Sequence, residues 1–245
     1  MEIELPPGAD FGVEASSKQA SRQAATESNA DRVRRSNREA ARLVAEMFSS
    51  ISSTTVALFP SEAEANDARI KWGPTYRGQV FSIDAPGAKG YGKLHSRRGT
   101  PQEREAALLG SDGIYIPDGT DVVMVVGPRA KDVKKLLKVH EKVGDETLII
   151  VINGRASVAA SKDGEGNWID DVFVPVFNYA PPPLSGLDRE LLLYHQFNGP
   201  WYLAEKEKGN KGILGLGGSD FKTIWEGDKR PSTDELKDIL AKASV

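Results

Sequence analysis

The segment Asp121–Arg155, DVVMVVGPRAKDVKKLLKVHEKVGDETLIIVINGR, limits what this chain can fold into more than any other stretch. Two aliphatic runs, Val122–Val126 and Leu148–Ile152, flank one amphipathic, Lys-rich stretch. Strands wetted on one face alternate apolar and polar residues. Continuous β-branched runs instead belong to strands covered on both faces, as in parallel sheets. Strand, helix, strand at this spacing is a crossover unit, right-handed by the general rule. The expected class is therefore α/β. That class hosts many unrelated chemistries, so function has to be read from particular residues.

Around this unit the spacing predicts further elements. A first strand covers MEIEL and stops at Pro6-Pro7-Gly8. A long helix begins near Asp31, with Val33, Ala40, Val44, Met47, Phe48 and Ile51 on one stripe and Arg35, Arg38 and Arg42 opposite. Thr54–Phe59 is a strand, and Ser61 with Glu64 forms a capping box that opens a second helix ending near Trp72-Gly73-Pro74. Val80–Ile83 is another strand. Residues 85–110, which contain APGAKGYGKLHSRRGT, lack periodicity and read as a mobile basic insert. In the crossover helix, Val133, Leu136, Leu137, His140 and Val143 are expected to face the sheet. Beyond Arg155, Asp171–Phe177, Leu191–Phe197, Trp201–Glu205 and Phe221–Trp225 are strand-like, although Asp188–Tyr194 also fits a helix. Ser232 and Glu235 form a second capping box before a terminal helix. The expectation is one α/β domain over residues 1–245, with antiparallel strands added to the parallel sheet in the C-terminal third.

Composition removes several function classes. A formal net charge of −3 argues against a dedicated nucleic-acid binder. The chain has no cysteine, which excludes disulfides, thiolate nucleophiles and Cys-ligated metal centres. No apolar run approaches the roughly 18 residues of a membrane-spanning helix, and no stretch reads as a signal or transit peptide. The three histidines, His95, His140 and His195, have no second ligand at metal spacing. There is no G-x-S-x-G nucleophile elbow and no G-x-x-x-x-G-K-[ST] phosphate loop. Asp84 lies near the distance from Phe59–Ser61 expected of a ribose-binding acid. The turn itself, Phe59-Pro60-Ser61-Glu62, has no glycine, and Glu62 would repel a pyrophosphate. GILGLGGSDF at 212–221 has Asp220 where a dinucleotide motif needs its third glycine. No catalytic residue, metal or cofactor is assigned.

Two kinds of site remain. Gly127-Pro128-Arg129-Ala130-Lys131 leaves one buried strand, and Asn153-Gly154-Arg155 leaves its neighbour at the same edge. Open α/β sheets bind ligands outside the carboxyl ends of their strands, and helix N-termini attract anions. With Asp84 from a third strand, the candidate ligand residues are Gly127, Arg129, Lys131, Asn153, Arg155 and Asp84. The plain alternative is a proline at the first helical position and a solvated first turn. The second kind is a basic docking face. Arg35, Arg38 and Arg42 form one candidate, and Lys134, Lys135, Lys138 and Lys142 form another. Anionic lipid headgroups, at about 1 kcal/mol per basic residue, or an acidic protein would suit either; ordinary solvated faces are the default.

Several blocks together, VALFPSEAEANDARIKWG, VVMVVGPRAKDVKKLL with IIVINGR, and YHQFNGPWYLAEKEKG with KRPSTDEL, resemble a chloroplast and algal family of unknown function. That family is typified by the Low Photosystem II Accumulation protein three, and the likeness covers most of the chain. The family's upstream helix has no counterpart here, and the basic insert near Lys89–Arg98 is peculiar to this sequence. The resemblance implies a Rossmann-like, three-layer sheet and a plastid protein acting in photosystem II biogenesis. It also implies photosynthetic complex or assembly proteins as partners and a place in the chloroplast stroma, peripheral to the thylakoid and its anionic lipids. Some relatives carry the domain beside an adenylate kinase, and no catalytic residues are established to transfer. The leading expectation is thus a non-enzymatic auxiliary factor. An enzyme or sensor of a nucleotide or sugar phosphate, and a permanent structural subunit of a photosynthetic complex, stay open as alternatives.

Overall fold

The computed structural model describes residues 1–6, 27–84, 114–154, 167–182, 184, 188–206 and 221–243. The basic insert at 85–110, Arg155 and most of GILGLGGSDF lie outside them.

The crossover unit folds as its pattern requires. Strands β4 (Val122–Val126) and β5 (Leu148–Ile152) pair in parallel, with Val122 opposite Leu148 and Val126 opposite Ile152. They belong to a nine-stranded sheet of order β3-β2-β4-β5-β1-β6-β7-β8-β9. Its other members are β1 (Glu2–Glu4), β2 (Thr55–Phe59), β3 (Gln79–Ser82), β6 (Pro175–Ala180), β7 (Leu191–Gln196), β8 (Trp201–Lys206) and β9 (Phe221–Gly227). Pairings from β3 through β6 are parallel, and those from β6 to β9 are antiparallel. The first strand enters the middle of this sheet, between β5 and β6.

Helices cover both faces. On one side α1 (Asn29–Met47) and α2 (Glu62–Trp72) pack Ala40, Ala41, Val44, Ala65 and Trp72 against Ala57, Phe59, Met124, Val126 and Ile152. On the other, α3 (Val133–Val143) and α4 (Asn167–Val172) bring Val133, Leu136, Val139 and Ile169 onto Val56, Leu58, Val123, Val125 and Val151. Alternate residues of β2, β4 and β5 thus serve two cores, which is why these strands read as unbroken apolar runs. A third cluster sets Leu236 and Leu240 of α5 (Thr233–Lys242) on Leu191, Leu193, Trp201 and Leu203.

Register carries the α3 face into the antiparallel half as a polar row. Glu2 lies opposite Val151, Glu4 opposite Asn178, Asn178 opposite His195, and His195 opposite Trp201. Glu2, Glu4, Asn178 and His195 are all buried. The His195 ring stacks on Trp201 at 4.3 Å, and the Arg230 guanidinium sits 4.5 Å over the Trp201 ring.

The caps hold where they are read from sequence. Ser61 accepts from the Glu64 amide at 3.4 Å. At Ser232 the box is reciprocal, with the Glu235 amide donating to Ser232 Oγ at 3.2 Å and the Ser232 amide to Glu235 Oε2 at 2.7 Å.

Four expectations are corrected. Asp171–Phe177 is not one strand: helix α4 runs to Val172, because Ile169 and Phe173, four residues apart, enter the core beneath α3. Asp188–Tyr194 is not helical, since Leu191–Gln196 pairs with both β6 and β8. In α3, Leu137 is exposed and Val139 takes the inward place, in step with Val133 and Leu136. Met47 at the end of α1 and Ile51 in the 3-10 turn Ser49–Thr54 after it are exposed, while Arg38 is buried. The inner stripe is built of small residues, Ser36, Ala40, Ala41 and Ala45, which let the helix lie close enough to enclose the arginine stem.

Candidate functional site

Loops leaving β2, β3, β4 and β5 emerge together at the carboxyl edge, where Pro60, Asp84, Gly127–Lys131 and Asn153 gather. The site predicted there divides into two clusters on opposite faces of the sheet.

On the α3 face the charges are tied to one another. A short 3-10 turn, Ala130–Asp132, precedes α3, and the Arg129 amide donates to Asp132 Oδ2 at 3.0 Å. Arg129 Nε donates to the same oxygen at 2.7 Å. Arg129 Nη2 reaches Asp84 Oδ2 at 2.9 Å and also donates to the Pro60 carbonyl. Lys135 pairs with Asp84 and lies 3.6 Å from Asp132, while Lys131 lies 3.5 Å from Asp84. Asp132 is fully buried, so its charge is sustained by these donors.

Electrostatics follow from that geometry. Burial alone would raise the Asp84 carboxyl, but the hydrogen bonds and charges of Lys135 and Arg129 outweigh it and hold it down at about 2. Burial opposes the Arg129 charge, yet bonds to Asp132 and Asp84 raise that guanidinium further above its ordinary value. An aspartate kept ionised and supplied with donors on both oxygens is a poor general base. Two carboxylates and a carbonyl engage Nε and Nη2 of this guanidinium. The cluster therefore clamps the β2, β3 and β4 loops to the start of α3. Its carbonyl contact also fills the glycine-free turn after β2.

On the α1 face the pair Gly127 and Asn153 is closed by Asn37. Asn153 has φ 54° and Gly127 has φ 52°. Asn153 Nδ2 donates to Asn37 Oδ1 at 2.7 Å, and Asn153 Oδ1 accepts from the Leu5 backbone amide at 2.6 Å. A Cβ on Gly127 would lie 2.3 Å from Asn37 Nδ2. The glycine is needed for contact with α1, not for access by a ligand.

The predicted residues thus meet only in part. Asp84, Arg129 and Lys131 come together, Gly127 and Asn153 join a different cluster, and Arg155 lies outside the described residues. Asn37 and Asp132 were not anticipated. Nothing in the α1 pattern singles out Asn37, whereas Asp132, three residues after Arg129, stands where a capping carboxylate belongs.

The two basic faces also part company. Arg35 pairs with Glu27 and Glu39 at 3.3 and 3.4 Å, Arg38 is buried beside Asp67, and Arg42 binds Glu46 at 2.5 Å. They lie along and within α1's packed side and form no open cationic stripe. On α3, Lys134, Lys138 and Lys142 are exposed and in line with exposed Lys131, while Lys135 is turned to Asp84. Lys142 also donates to the Ile114 carbonyl at 2.9 Å.

Among the described residues, no group of three or more His, Asp or Glu side chains is placed to hold a metal ion. No helix among them is long and apolar enough to cross a membrane. The family described as "Domain of unknown function (DUF1995)" matches residues 1–238, and the chain belongs to it. No curated protein and no solved structure matches the chain.

Proposed function

We propose that this DUF1995 member is a non-enzymatic auxiliary factor of photosystem II biogenesis in plastids, working at the stromal face of the thylakoid by binding protein partners. The observation that carries the reading is the line of exposed cations at 131, 134, 138 and 142 along α3, in a chain whose net charge is −3. Such a stripe suits an acidic partner surface and steers its approach over about a Debye length, about 8–10 Å in physiological salt. The sequence blocks resembling the Low Photosystem II Accumulation protein three supply the plastid setting. An enzyme or sensor of phosphorylated metabolites at the carboxyl edge has less support, because Arg129 and Lys135 are engaged by Asp84 and Asp132.

The test is co-sedimentation with thylakoid membranes that contain or lack photosystem II subunits, at low and high salt. The reading expects retention that depends on those subunits and is released by salt. Equal recovery from both membranes, or from neither, contradicts it.

A further inference from the structure

At the opposite edge of the sheet, where the chain enters β2 and β3, a cleft of about 230 Å³ lies between the end of α1 and the segment Thr75–Arg77. Its lining is rich in donors: Arg42, Arg77, Ser49 and Ser52 border it, with Glu46 as the lone carboxylate, while the Thr75 hydroxyl donates to the Trp72 carbonyl at 3.3 Å. Glu46 is half exposed and fixes one end of Arg42. The other end, Nη1, is buried without a hydrogen-bond partner, as are Trp72 Nε1 and Tyr76 Oη. All three belong to one cluster: Arg42 lies 5.1 Å from the Tyr76 ring centroid and 6.0 Å from that of Trp72, and the two rings meet edge to face at 4.7 Å. Burial raises the Tyr76 phenol to about 12, so it keeps its proton at physiological pH. Gly78 makes room for this ring, since a Cβ there would stand 2.4 Å from the Tyr76 oxygen.

Each buried donor without an acceptor has lost its hydrogen bonds to water and gained none in exchange. Two of them, Arg42 Nη1 and Tyr76 Oη, belong to residues that line the cleft, and both lack an acceptor. Arginine pairs and hydroxyls are the usual partners of tetrahedral oxyanions. We propose that this cleft binds a phosphate group, through Arg42, Arg77 and the Ser49 and Ser52 hydroxyls. The group can arrive on a small free phosphate or on a phospholipid head; Leu43 and Met47, exposed and next in sequence to the lining residues Arg42 and Glu46, are what a lipid would also touch.

The test titrates the full chain with inorganic phosphate at constant ionic strength, followed by amide NMR. In parallel, its sedimentation with phosphatidylglycerol vesicles is compared with that on phosphatidylcholine. A free-phosphate site gives saturable shifts at Ser49, Ser52, Tyr76 and Arg77. A lipid site gives binding to phosphatidylglycerol vesicles that falls with Met47→Ser. Either response weakens at least tenfold in Arg42→Gln and in Ser49→Asp, which places a carboxylate at an exposed position without disturbing packing, and is unchanged in Lys237→Gln. The proposal is overturned if neither probe binds, if binding survives Ser49→Asp, or if the phosphate shifts centre on Gly127–Lys131.

Discussion

Arg230 and Glu2, 228 residues apart, form an ion pair with Nη2 3.0 Å from Oε1, and the Arg230 guanidinium lies over the Trp201 ring. The Glu2 side chain is only 1% exposed. The pair fastens the segment before α5 to a strand in the centre of the sheet. Removing one partner of a buried pair leaves a charge with poor solvation, so Arg230→Met should lower unfolding free energy by roughly 3 kcal/mol. Chemical denaturation measures it, and Arg230→Met with Glu2→Gln should recover part of the loss.

Gly127 and Asn37 provide a second coupled pair. Gly127→Ala meets both the positive φ and the Asn37 side chain, and should destabilise by about 2 kcal/mol. Asn37→Ala removes the clash while leaving the backbone strain. The double variant should therefore be more stable than the sum of the singles predicts, which a double-mutant cycle reads directly. Strict additivity would contradict the contact.

Asp84 sets a pH dependence. Its folded pKa, about 2, lies below that of an unfolded aspartate. Its contribution is therefore fully present above about pH 4 and is lost as pH falls toward about 2. The gap in urea midpoint between the wild type and Asp84→Asn should be widest above that window and close within it. A gap independent of pH would mean that the carboxylate charge is irrelevant to the clamp.

The Ser232 box anchors α5 at its start. Ser232→Ala removes the acceptor for the Glu235 amide and should cost about 1 kcal/mol. Hydrogen exchange should show the loss first in the opening turn of α5, ahead of the strands beneath it.

Much of the fold was legible because it was local. The ends of β4 and β5 coincide with the ends of their aliphatic runs, and Ser61 and Ser232 both cap the helices that follow them, with the reciprocal box complete at Ser232. What escaped was long-range. No pattern in MEIEL says that it will part β5 from β6, since that placement depends on pairings with residues near 151 and 177. Arg38 looked solvent-facing because an arginine buried beside alanines reads, in sequence, like one on the surface. The carboxyl edge was located correctly as a meeting place of Asp84, Arg129 and Lys131. Their pairing was not legible, because 45 residues separate Asp84 from Arg129 and only the folded chain brings them into contact.

The central claim is that the exposed lysines of α3 dock this protein on its partner. Its most direct measurement is binding of Lys134→Glu/Lys138→Glu to thylakoid membranes containing photosystem II subunits, at low and high salt, beside wild type and the control Lys237→Glu on α5. The account predicts unchanged folding, a loss of low-salt binding of at least tenfold in the α3 variant, and wild-type binding in the control. Wild-type, salt-sensitive binding by Lys134→Glu/Lys138→Glu would contradict it.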